Sequence, residues 1–313
     1  MSDIDDARAA LATIPTFRAL AARAEIKRLG GMTNRVFRIG LPGDTLCLRL
    51  PGAGTEEYIN RANEAEAARL AAGAGVSPPL LFADAASGIM VTRFVSAAAT
   101  MSPALFKSRK GAPARAAAAF RKLHASRAVF PFRFELFAMI DDYLKLLATK
   151  SVDLPEGYHD VLAEAETIRA ALAAHSLPLT ACHCDPLSEN FLDTGDRMWI
   201  VDWEYCGMND PMWDLGDLSV EAKFDAAQDE ELITAYFGRP PAPDQRGRMV
   251  IYKAMCDLLW TLWGLIQHAN NNPADDFAAY AANRFARCRT LMASPGFAAH
   301  VRAVAAGPQG VSE

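Results

Sequence analysis

The chain has 313 residues, of which 51% are hydrophobic and 22% are charged, an ordinary composition for a globular protein. Its formal net charge of −5 argues against nucleic acid as a partner, because phosphate binding needs a basic surface. No stretch reaches about eighteen uncharged apolar residues and the N-terminus is acidic, so neither a membrane span nor a signal peptide is expected. The 6 cysteines are dispersed, which favours a reducing cytoplasm over a disulfide framework or a zinc cluster.

The first hundred residues are predicted to be rich in β-strands. The predicted strands lie at 24–29, 35–40, 45–50, 80–83 and 89–95. Turn signals such as Gly30-Gly31 and Pro42-Gly43 separate the first three of them. A helix at 57–72, ended by Gly73, is predicted between the third and fourth strands.

After about residue 100 the pattern becomes helical. The predicted helices lie at 112–125, 134–149, 157–175, 229–237, 244–269 and 274–292. A short insert at 179–206 contains strands, and the last residues, 307–313, are expected to form a loose tail. The chain is therefore expected to be α+β, with a small N-terminal sheet lobe at 1–95, a larger and mainly helical lobe at 96–313, and a cleft between them.

The strongest chemical signal is the segment His183–Asn190, which has the pattern H-x-D-x-x-x-x-N. Asp202 follows at the end of an apolar strand at 198–201. Phosphoryl transfer from ATP needs a carboxylate facing the attacking hydroxyl and hard oxygen ligands for magnesium. Asp185 fits the first role, and Asn190 and Asp202 fit the second. Although the octapeptide alone could arise in an ordinary loop, the complete set predicts an ATP-dependent kinase for a small hydroxylated molecule, with His183 as a structural residue.

Residues upstream fit the nucleotide. The turn with Gly31, Thr33 and Asn34 joins two predicted strands, where it could grip phosphates or be a plain hairpin turn. It is not a P-loop, because no G-x-x-x-x-G-K-[ST] occurs in the chain. Arg49 lies in the third strand, where kinases use Lys to hold the α/β phosphates, and Glu64 on the next helix is expected to pair with it. The other acidic residues that compete with Glu64 are Glu56, Glu57 and Glu66. The hinge whose backbone is expected to bond adenine consists of Arg93, Phe94 and Val95.

These residues resemble the choline/ethanolamine kinase family, within the aminoglycoside-phosphotransferase and protein-kinase-like superfamily. The resemblance covers about 29–285 and is closest in His183–Asn190 and in 201–217, where the run D-W-E-Y-C-G-M-N-D-P is similar to that of bacterial choline kinases. It implies a bilobal protein-kinase-like fold with an antiparallel sheet lobe, and ATP and Mg²⁺ as cofactors. It also implies that Asp185 is the base, that Asn190 and Asp202 bind magnesium, and that Arg49 and Glu64 support the phosphates.

The resemblance further implies a choline pocket in the helical lobe. The matching residues are Trp260, Trp263 and Tyr280, with Glu204, Tyr205 and Glu221 as weaker candidates. Trp260 and Trp263 are three apart on a predicted helix and therefore share a face. Aromatic faces attract quaternary ammonium groups, although a pair of Trp residues on an amphipathic helix commonly fills a core instead.

The expected reaction is transfer of the γ-phosphate of ATP to the hydroxyl of choline or ethanolamine, so the expected partner is a small amino alcohol. The alternatives are a kinase for thiamine, an aminoglycoside or a sugar, and a non-catalytic cation-binding module. A protein kinase is disfavoured because Asp-Phe-Gly and Ala-Pro-Glu are absent from the sequence. Asp214 and Asp217 either brace the catalytic loop or cap a helix, and the sequence leaves the oligomeric state open.

Overall fold

An antiparallel sheet of five strands forms the first part of the molecule. The computed structural model describes residues 2–30, 34–52 and 59–308. The strands are β1 Glu25–Arg28, β2 Arg35–Leu41, β3 Asp44–Leu50, β4 Leu80–Ala83 and β5 Met90–Arg93. Their order in the sheet is β1-β2-β3-β5-β4, and every pairing is antiparallel. All five strands were predicted from the sequence.

Two helices that the strand-rich pattern did not predict precede this sheet: α1 Asp3–Thr13 and α2 Arg18–Ala21. A capping box starts α1, because the Ser2 amide donates to Asp5 and the Asp5 amide donates to the Ser2 hydroxyl. The buried face of α1 belongs to the same apolar cluster as Phe37 and Leu48 of the sheet. The sheet lobe therefore has a core of its own, covered on one side by the N-terminal helices.

The helix that follows β3 begins later than predicted. It is α3, Arg61–Gly73, whereas the predicted start was residue 57, which lies outside the described residues. The side chain of Asn60 accepts the amide hydrogens of Ala62 and Asn63 at 3.1 Å each, and this cap fixes the start. Glu64 therefore lies in the first turn of α3, where it is 1% exposed.

The second part is mainly helical. Its helices are α4 Pro103–Ser108, α5 Ala112–His124, α6 Leu136–Ala148, α7 Tyr158–Ala174, α8 Met212–Glu221, α9 Ala226–Phe237, α10 Pro243–Ala269, α11 Phe277–Met292 and α12 Phe297–Ala306. The sequence pattern missed α4, α8 and α12, which are short helices of 6, 10 and 10 residues. The prediction of an α+β chain with a small antiparallel sheet and a larger helical part is confirmed.

The long helix α10 is the centre of the helical part, where it contacts α6, α7, α8, α11 and α12. It is long and apolar enough to cross a membrane, but 83% of its most apolar window is buried within the molecule, as in a core helix. Helix α8 lies very close to it, since a Cβ on Gly216 would come within 2.8 Å of the Met249 carbonyl oxygen and of the Tyr252 Cβ. A side chain at this position would therefore push the two helices apart.

The predicted insert contributes to two small sheets between helices. Strands β7 Thr180–Cys182, β8 Phe191–Asp193 and β9 Met198–Ile200 lie within its predicted bounds, whereas β6 Ala99–Thr100 and β10 Gly207–Asn209 lie outside them. Strands β6, β8 and β9 form one sheet, and β7 pairs with β10 in the other. The loops between these strands carry the catalytic candidates.

The β8–β9 hairpin and the residues that follow it bond to the segment between α3 and β4. The amide of Ile200 donates to the Val76 carbonyl at 2.9 Å, and the Trp203 indole donates to the Ser77 hydroxyl at 3.2 Å. Arg197 donates to the Gly75 carbonyl at 2.6 Å. The two parts of the molecule are therefore joined here as well as through the chain that leaves β5.

A buried ion pair anchors the same hairpin to the helices. The side chain of Asp193 is fully buried and accepts bonds from Arg109 at 2.6 Å and from Arg115 at 2.7 and 2.8 Å. Burial opposes the ionised form, but these two guanidinium groups and the Gly195 amide outweigh it and lower the pKa of Asp193 to about 2. The ionised carboxylate is thus the form that stabilises the fold.

We expect Asp193→Asn to lower the free energy of unfolding by about 2 kcal/mol at neutral pH, because the folded pKa lies below the ordinary value of 3.8. This contribution is present above the unfolded pKa and is lost as the pH falls through the folded pKa, so the variant and the wild type should converge towards pH 2. Urea unfolding at several pH values measures it. Asp196→Asn, an exposed change on the same hairpin, is the control. An equal loss in both variants would contradict the assignment.

Candidate active site

The loop that carries Asp185 is held from behind by one buried carboxylate. Asp214, fully buried on α8, accepts the amide hydrogen of His183 on Oδ2 and that of Cys184 on Oδ1, both at 2.8 Å. The Trp213 indole donates to the Cys184 carbonyl at 3.1 Å. Cys184 has φ 66°, in the left-handed region that a side chain rarely adopts, and these three bonds hold it there. Of the two roles that the sequence allowed for Asp214, the structure shows the brace.

The structure brings the three predicted catalytic residues together. The Asn190 amide nitrogen donates to the Asp185 carbonyl at 3.1 Å, which leaves its side-chain oxygen without a hydrogen bond from any described residue. The amide of Val201 donates to the Asn190 carbonyl at 3.0 Å, so Asp202 follows directly. Asp202 has φ 68°, a second left-handed position beside the loop.

His183 makes only structural contacts. Its Nε2 donates to the Val201 carbonyl at 2.9 Å, and its ring packs against Trp203 with centroids 4.8 Å apart. Burial lowers the pKa of His183, so the neutral ring is favoured at pH 7. These contacts join the catalytic loop to the segment that carries Asp202.

Two carboxylates in this region have raised pKa values. Burial, and then repulsion from Glu221, Asp202 and Glu204, holds the pKa of Asp185 well above its usual range. Burial and the nearby Glu204 raise the pKa of Asp202 to about 7, against the opposing effect of Arg49. Burial and mutual repulsion therefore both oppose the ionised forms of these two carboxyl groups.

Arg49 is paired as the sequence predicted. Its Nη1 contacts Glu64 and lies 3.2 Å from Asp202 and 3.4 Å from Glu204. The three carboxylates place oxygens within 4.8 Å of one another. A second cation, Arg61, bridges Glu64 at 2.8 Å and Glu204 at 2.7 Å. Arg61 was not predicted, although its position three residues before Glu64 on one helix face was a usable signal.

Of the residues predicted in the phosphate-binding turn, the structure describes only Asn34. Asn34 is 4% exposed and donates to Glu204 at 3.0 Å, so its amide nitrogen is engaged within the protein. Glu204 was predicted as a weaker candidate for the choline pocket. It lies instead with Arg49 and Arg61, on the side of the sheet lobe. Gly31 and Thr33 lie outside the described residues.

The hinge presents one free amide in the part of the chain that the structure describes. The Arg93 amide donates to the Pro79 carbonyl and the Phe94 amide donates to the Thr45 carbonyl, both at 3.0 Å. The Arg93 side chain pairs with Asp44 at the surface, at 2.8 Å. The Val95 amide makes no hydrogen bond to a described residue and is the donor that remains for a ligand.

The predicted aromatic residues form one cluster. The Trp263 indole donates to the Tyr205 hydroxyl at 3.1 Å. Ring centroids lie 5.6 Å apart for Tyr205 and Trp260, 6.3 Å for Trp260 and Trp263, and 5.7 Å for Trp263 and Tyr280. Phe277, which was not predicted, adds a ring 5.5 Å from Trp263. Trp263 and Tyr280 are partly exposed, whereas Trp260 is 4% exposed.

Charged groups lie beside this cluster. Glu221 pairs with Arg284, whose guanidinium carbon lies 4.8 Å from the centroid of the Tyr280 ring and which also bonds Asp257 at 3.1 Å. Asp217 is fully buried, and neither of its carboxylate oxygens accepts a hydrogen bond from the described residues. The sequence did not predict Arg284, although its spacing of four residues from Tyr280 on one helix face was a signal.

Asp185 lies close to the aromatic cluster. Burial and then the Asp185 charge raise the pKa of Tyr143 to about 12. The same charge contributes, with burial and Glu221, to a raised pKa of Tyr280. Tyr143 was not predicted, because helix α6 that carries it is remote in sequence from the other site residues.

Comparison with known proteins identifies the family of the chain. The model of the phosphotransferase enzyme family, APH, matches residues 25–248, so the chain belongs to this family. The structure of a choline/ethanolamine kinase family protein from Mesorhizobium loti is 66% identical, with a TM-score of 0.91, over 98% of this chain and 100% of that one. The chain thus belongs to the choline/ethanolamine kinase family and is an ATP-dependent phosphotransferase.

More distant relatives have the same architecture. The choline kinase LicA from Streptococcus pneumoniae is 26% identical, with a TM-score of 0.74, over 88% of this chain and 96% of that one. A structure of LicA in complex with AMP is 27% identical, with a TM-score of 0.69, over 88% of this chain and 92% of that one. The prediction of a nucleotide-binding enzyme is confirmed at the level of the family.

We expect Asp214→Asn to lower kcat about tenfold or more while the KM values change little. An amide presents one oxygen and one N–H₂ group, so one of the His183 and Cys184 amides loses its acceptor and Asp185 is displaced; a loss of this size corresponds to about 1.4 kcal/mol. Steady-state kinetics measure it. Asp244→Asn, on α10 outside the site, is the control. Unchanged kcat in Asp214→Asn would contradict the bracing role.

Proposed function

We propose that this protein transfers the γ-phosphate of ATP to the hydroxyl of a small amino alcohol, choline or ethanolamine. The observation that carries the proposal is the proximity of Asp185 to two groups of charged residues. One group is Asp202 and Glu204 with their arginines, and the other is Glu221 with Arg284, which lies against the ring of Tyr280. A phosphate donor at the first group and a cationic alcohol at the second would meet at Asp185.

Asp185 is the proposed base. Its raised pKa makes the carboxylate a better acceptor for the hydroxyl proton of the substrate than an ordinary aspartate. The proton moves from the hydroxyl to a carboxylate oxygen as the oxygen of the substrate forms a bond to the γ-phosphorus, while the bond from that phosphorus to the β–γ bridging oxygen breaks and ADP leaves. The brace from Asp214 keeps the carboxylate in position, since it fixes the two amides that precede it.

Asn190 and Asp202 are proposed to hold Mg²⁺. The Asn190 side-chain oxygen is left without a donor in the described chain, and the Asp202 side chain is 32% exposed, so both present hard oxygen atoms to the cleft. The ion neutralises charge on the phosphates when it is bound. A bound cation would also favour the ionised form of Asp202, whose pKa is otherwise raised to about 7.

The sheet lobe is proposed to bind the rest of the nucleotide. The Val95 amide would bond the adenine edge, because the amides of Arg93 and Phe94 are already used. Arg49 would face the α/β phosphates. Two of its nitrogens, Nε and Nη2, are buried without a hydrogen-bond acceptor among the described residues, so it retains donors for a phosphate oxygen.

The acceptor is proposed to be a compact cation. Around the aromatic cluster, Asp185, Asp217 and Glu221 carry acidic groups, and Arg284 is shared with Asp257. An ammonium group would supply the missing positive charge and would lie against ring faces that attract it. A neutral sugar has no charge to offer this site, so the geometry favours an amino alcohol.

We expect Asp185→Asn to reduce phosphorylation of choline and ethanolamine at least a hundredfold with the fold intact, because the amide cannot accept the hydroxyl proton; general-base catalysis commonly contributes about 10²–10⁴-fold. Coupled release of ADP over a panel of choline, ethanolamine, thiamine, an aminoglycoside and a sugar measures it, and the circular dichroism spectrum controls for folding. Glu189→Gln, an exposed change on the same loop, is the matched control. Wild-type turnover on the aminoglycoside but not on either amino alcohol would overturn the proposed acceptor.

We expect Trp263→Leu to raise the KM for choline about 2- to 30-fold, the range that corresponds to a lost cation–π contact of about 0.5–2 kcal/mol. The KM for ATP should not change. The effect of the substitution on binding should be much smaller for the uncharged carbon isostere of choline, because the ring attracts only the cation. Trp199→Leu is the control, because the indole of Trp199, on β9, contacts the guanidinium of Arg197 and is not part of the aromatic cluster. An equal loss for the isostere would mean that the indole only fills space.

A further inference from the structure

The hydrogen bonds behind Asp185 continue past Asp214 into the helical part. Nε2 of His124, the last residue of α5, lies 3.0 Å from Oδ2 of Asp214. On the other side of the ring, Nδ1 lies 2.9 Å from the hydroxyl of Tyr236 on α9. The His124 side chain is 3% exposed. A continuous path of hydrogen bonds therefore runs from α9 to the two amides that precede Asp185.

The donors at Asp214 determine which nitrogen of His124 carries hydrogen. The amides of His183 and Cys184 can only donate, so Asp214 accepts on both oxygens. A carboxylate engaged in this way is an acceptor, and the third bond needs a hydrogen on Nε2 of His124. A neutral imidazole with hydrogen on Nε2 has its lone pair on Nδ1. Tyr236 is then the donor of the second bond.

The surroundings of His124 favour Tyr236 as the hydrogen-bond donor to Nδ1. Phe120 stacks on the imidazole with centroids 5.7 Å apart, and the buried Cys182 thiol is close to Nε2 and Asp214. Burial raises the pKa of Tyr236, so its phenol keeps the proton that it donates. Among the charged groups of the described residues, Arg121 and Asp210 also influence this tyrosine from farther away.

We propose that Tyr236 is a positioning residue of the active site, which fixes His124 as the Nε2–H tautomer and thereby keeps Asp214 bonded to the catalytic loop. The proposal rests on the proposed function for its kinetic consequence. If hydrogen moved to Nδ1, the Nε2 lone pair would face the carboxylate and repel it. Asp214 would then turn away from one amide, and the left-handed Cys184 would lose the bonds that hold it.

Tyr236→Phe tests this with little change in packing, because the ring and its edge contact with His124 at 5.6 Å are kept. We expect kcat to fall about 3- to 10-fold, the range that corresponds to one hydrogen bond, with both KM values within about twofold of the wild type. Tyr158→Phe is the matched control: this residue is 1% exposed, and its hydroxyl donates to the Leu258 carbonyl at 3.0 Å, outside the path. It should lose comparable stability and keep its kcat.

Nitrogen-15 NMR spectra of the protein labelled at histidine report the tautomer of His124, which a general loss of stability would not change. The wild type should show His124 with hydrogen on Nε2 and a bare Nδ1, and Tyr236→Phe should show a mixture of tautomers or a protonated ring. Loss of the signal in His124→Gln assigns it. Hydrogen on Nδ1 or on both nitrogens in the wild type would overturn the proposal, as would equal kcat in the two tyrosine variants. If no acceptor is phosphorylated, the proposed function fails, while the tautomers still decide this proposal.

Discussion

The carboxylate of Asp214 accepts the amide hydrogens of His183 and Cys184, and the remaining parts of the site depend on that contact. A charge buried this deeply is tolerated only when donors surround it. Here three donors do so, two from the catalytic loop and one from His124. The amides of the loop thus compensate the charge of the Asp214 carboxylate. That carboxylate in return holds the loop in a backbone conformation that Cys184 would not adopt alone. The position of the proposed base and the stability of the helical core therefore depend on the same bonds.

Negative charge is the second organising feature, and it is unevenly compensated. Glu64, Asp202 and Glu204 share two arginines on the side of the sheet lobe, while Glu221 shares Arg284 with Asp257 in the helical lobe. Glu221, Asp202 and Glu204 all raise the pKa of Asp185. Such an arrangement is costly by itself and becomes favourable when cations bind beside it. The proposed magnesium ion and ammonium group would each relieve part of the repulsion.

The site residues that were predicted from the sequence are those that lie near one another along the chain. Asp185, Asn190 and Asp202 lie on one loop and the hairpin beside it, so their spacing predicted their meeting. Arg49 and Glu64 were found in the same way, as a strand and the first turn of the next helix. The start of α3 was wrong because a single side chain, Asn60, decides it.

Two of the residues that were missed come from elements remote in the chain. Tyr143 and Tyr236 reach the site through tertiary packing, for which local periodicity gives no signal. Glu204 was grouped with its neighbour Tyr205, yet the two side chains bond in different directions, to Arg61 and to Trp263. Sequence adjacency therefore did not translate into a shared pocket.

The contacts of Val76 and Ser77 with the segment around β9 have a mechanical consequence. The sheet lobe contacts the helical lobe through these hydrogen bonds and also through the ion pairs of Arg49 with Asp202 and Glu204. All of these contacts fall on one short segment, which runs from the end of β9 to Glu204. The carboxylate that is proposed to meet the phosphates of the nucleotide is therefore tied to both lobes at once.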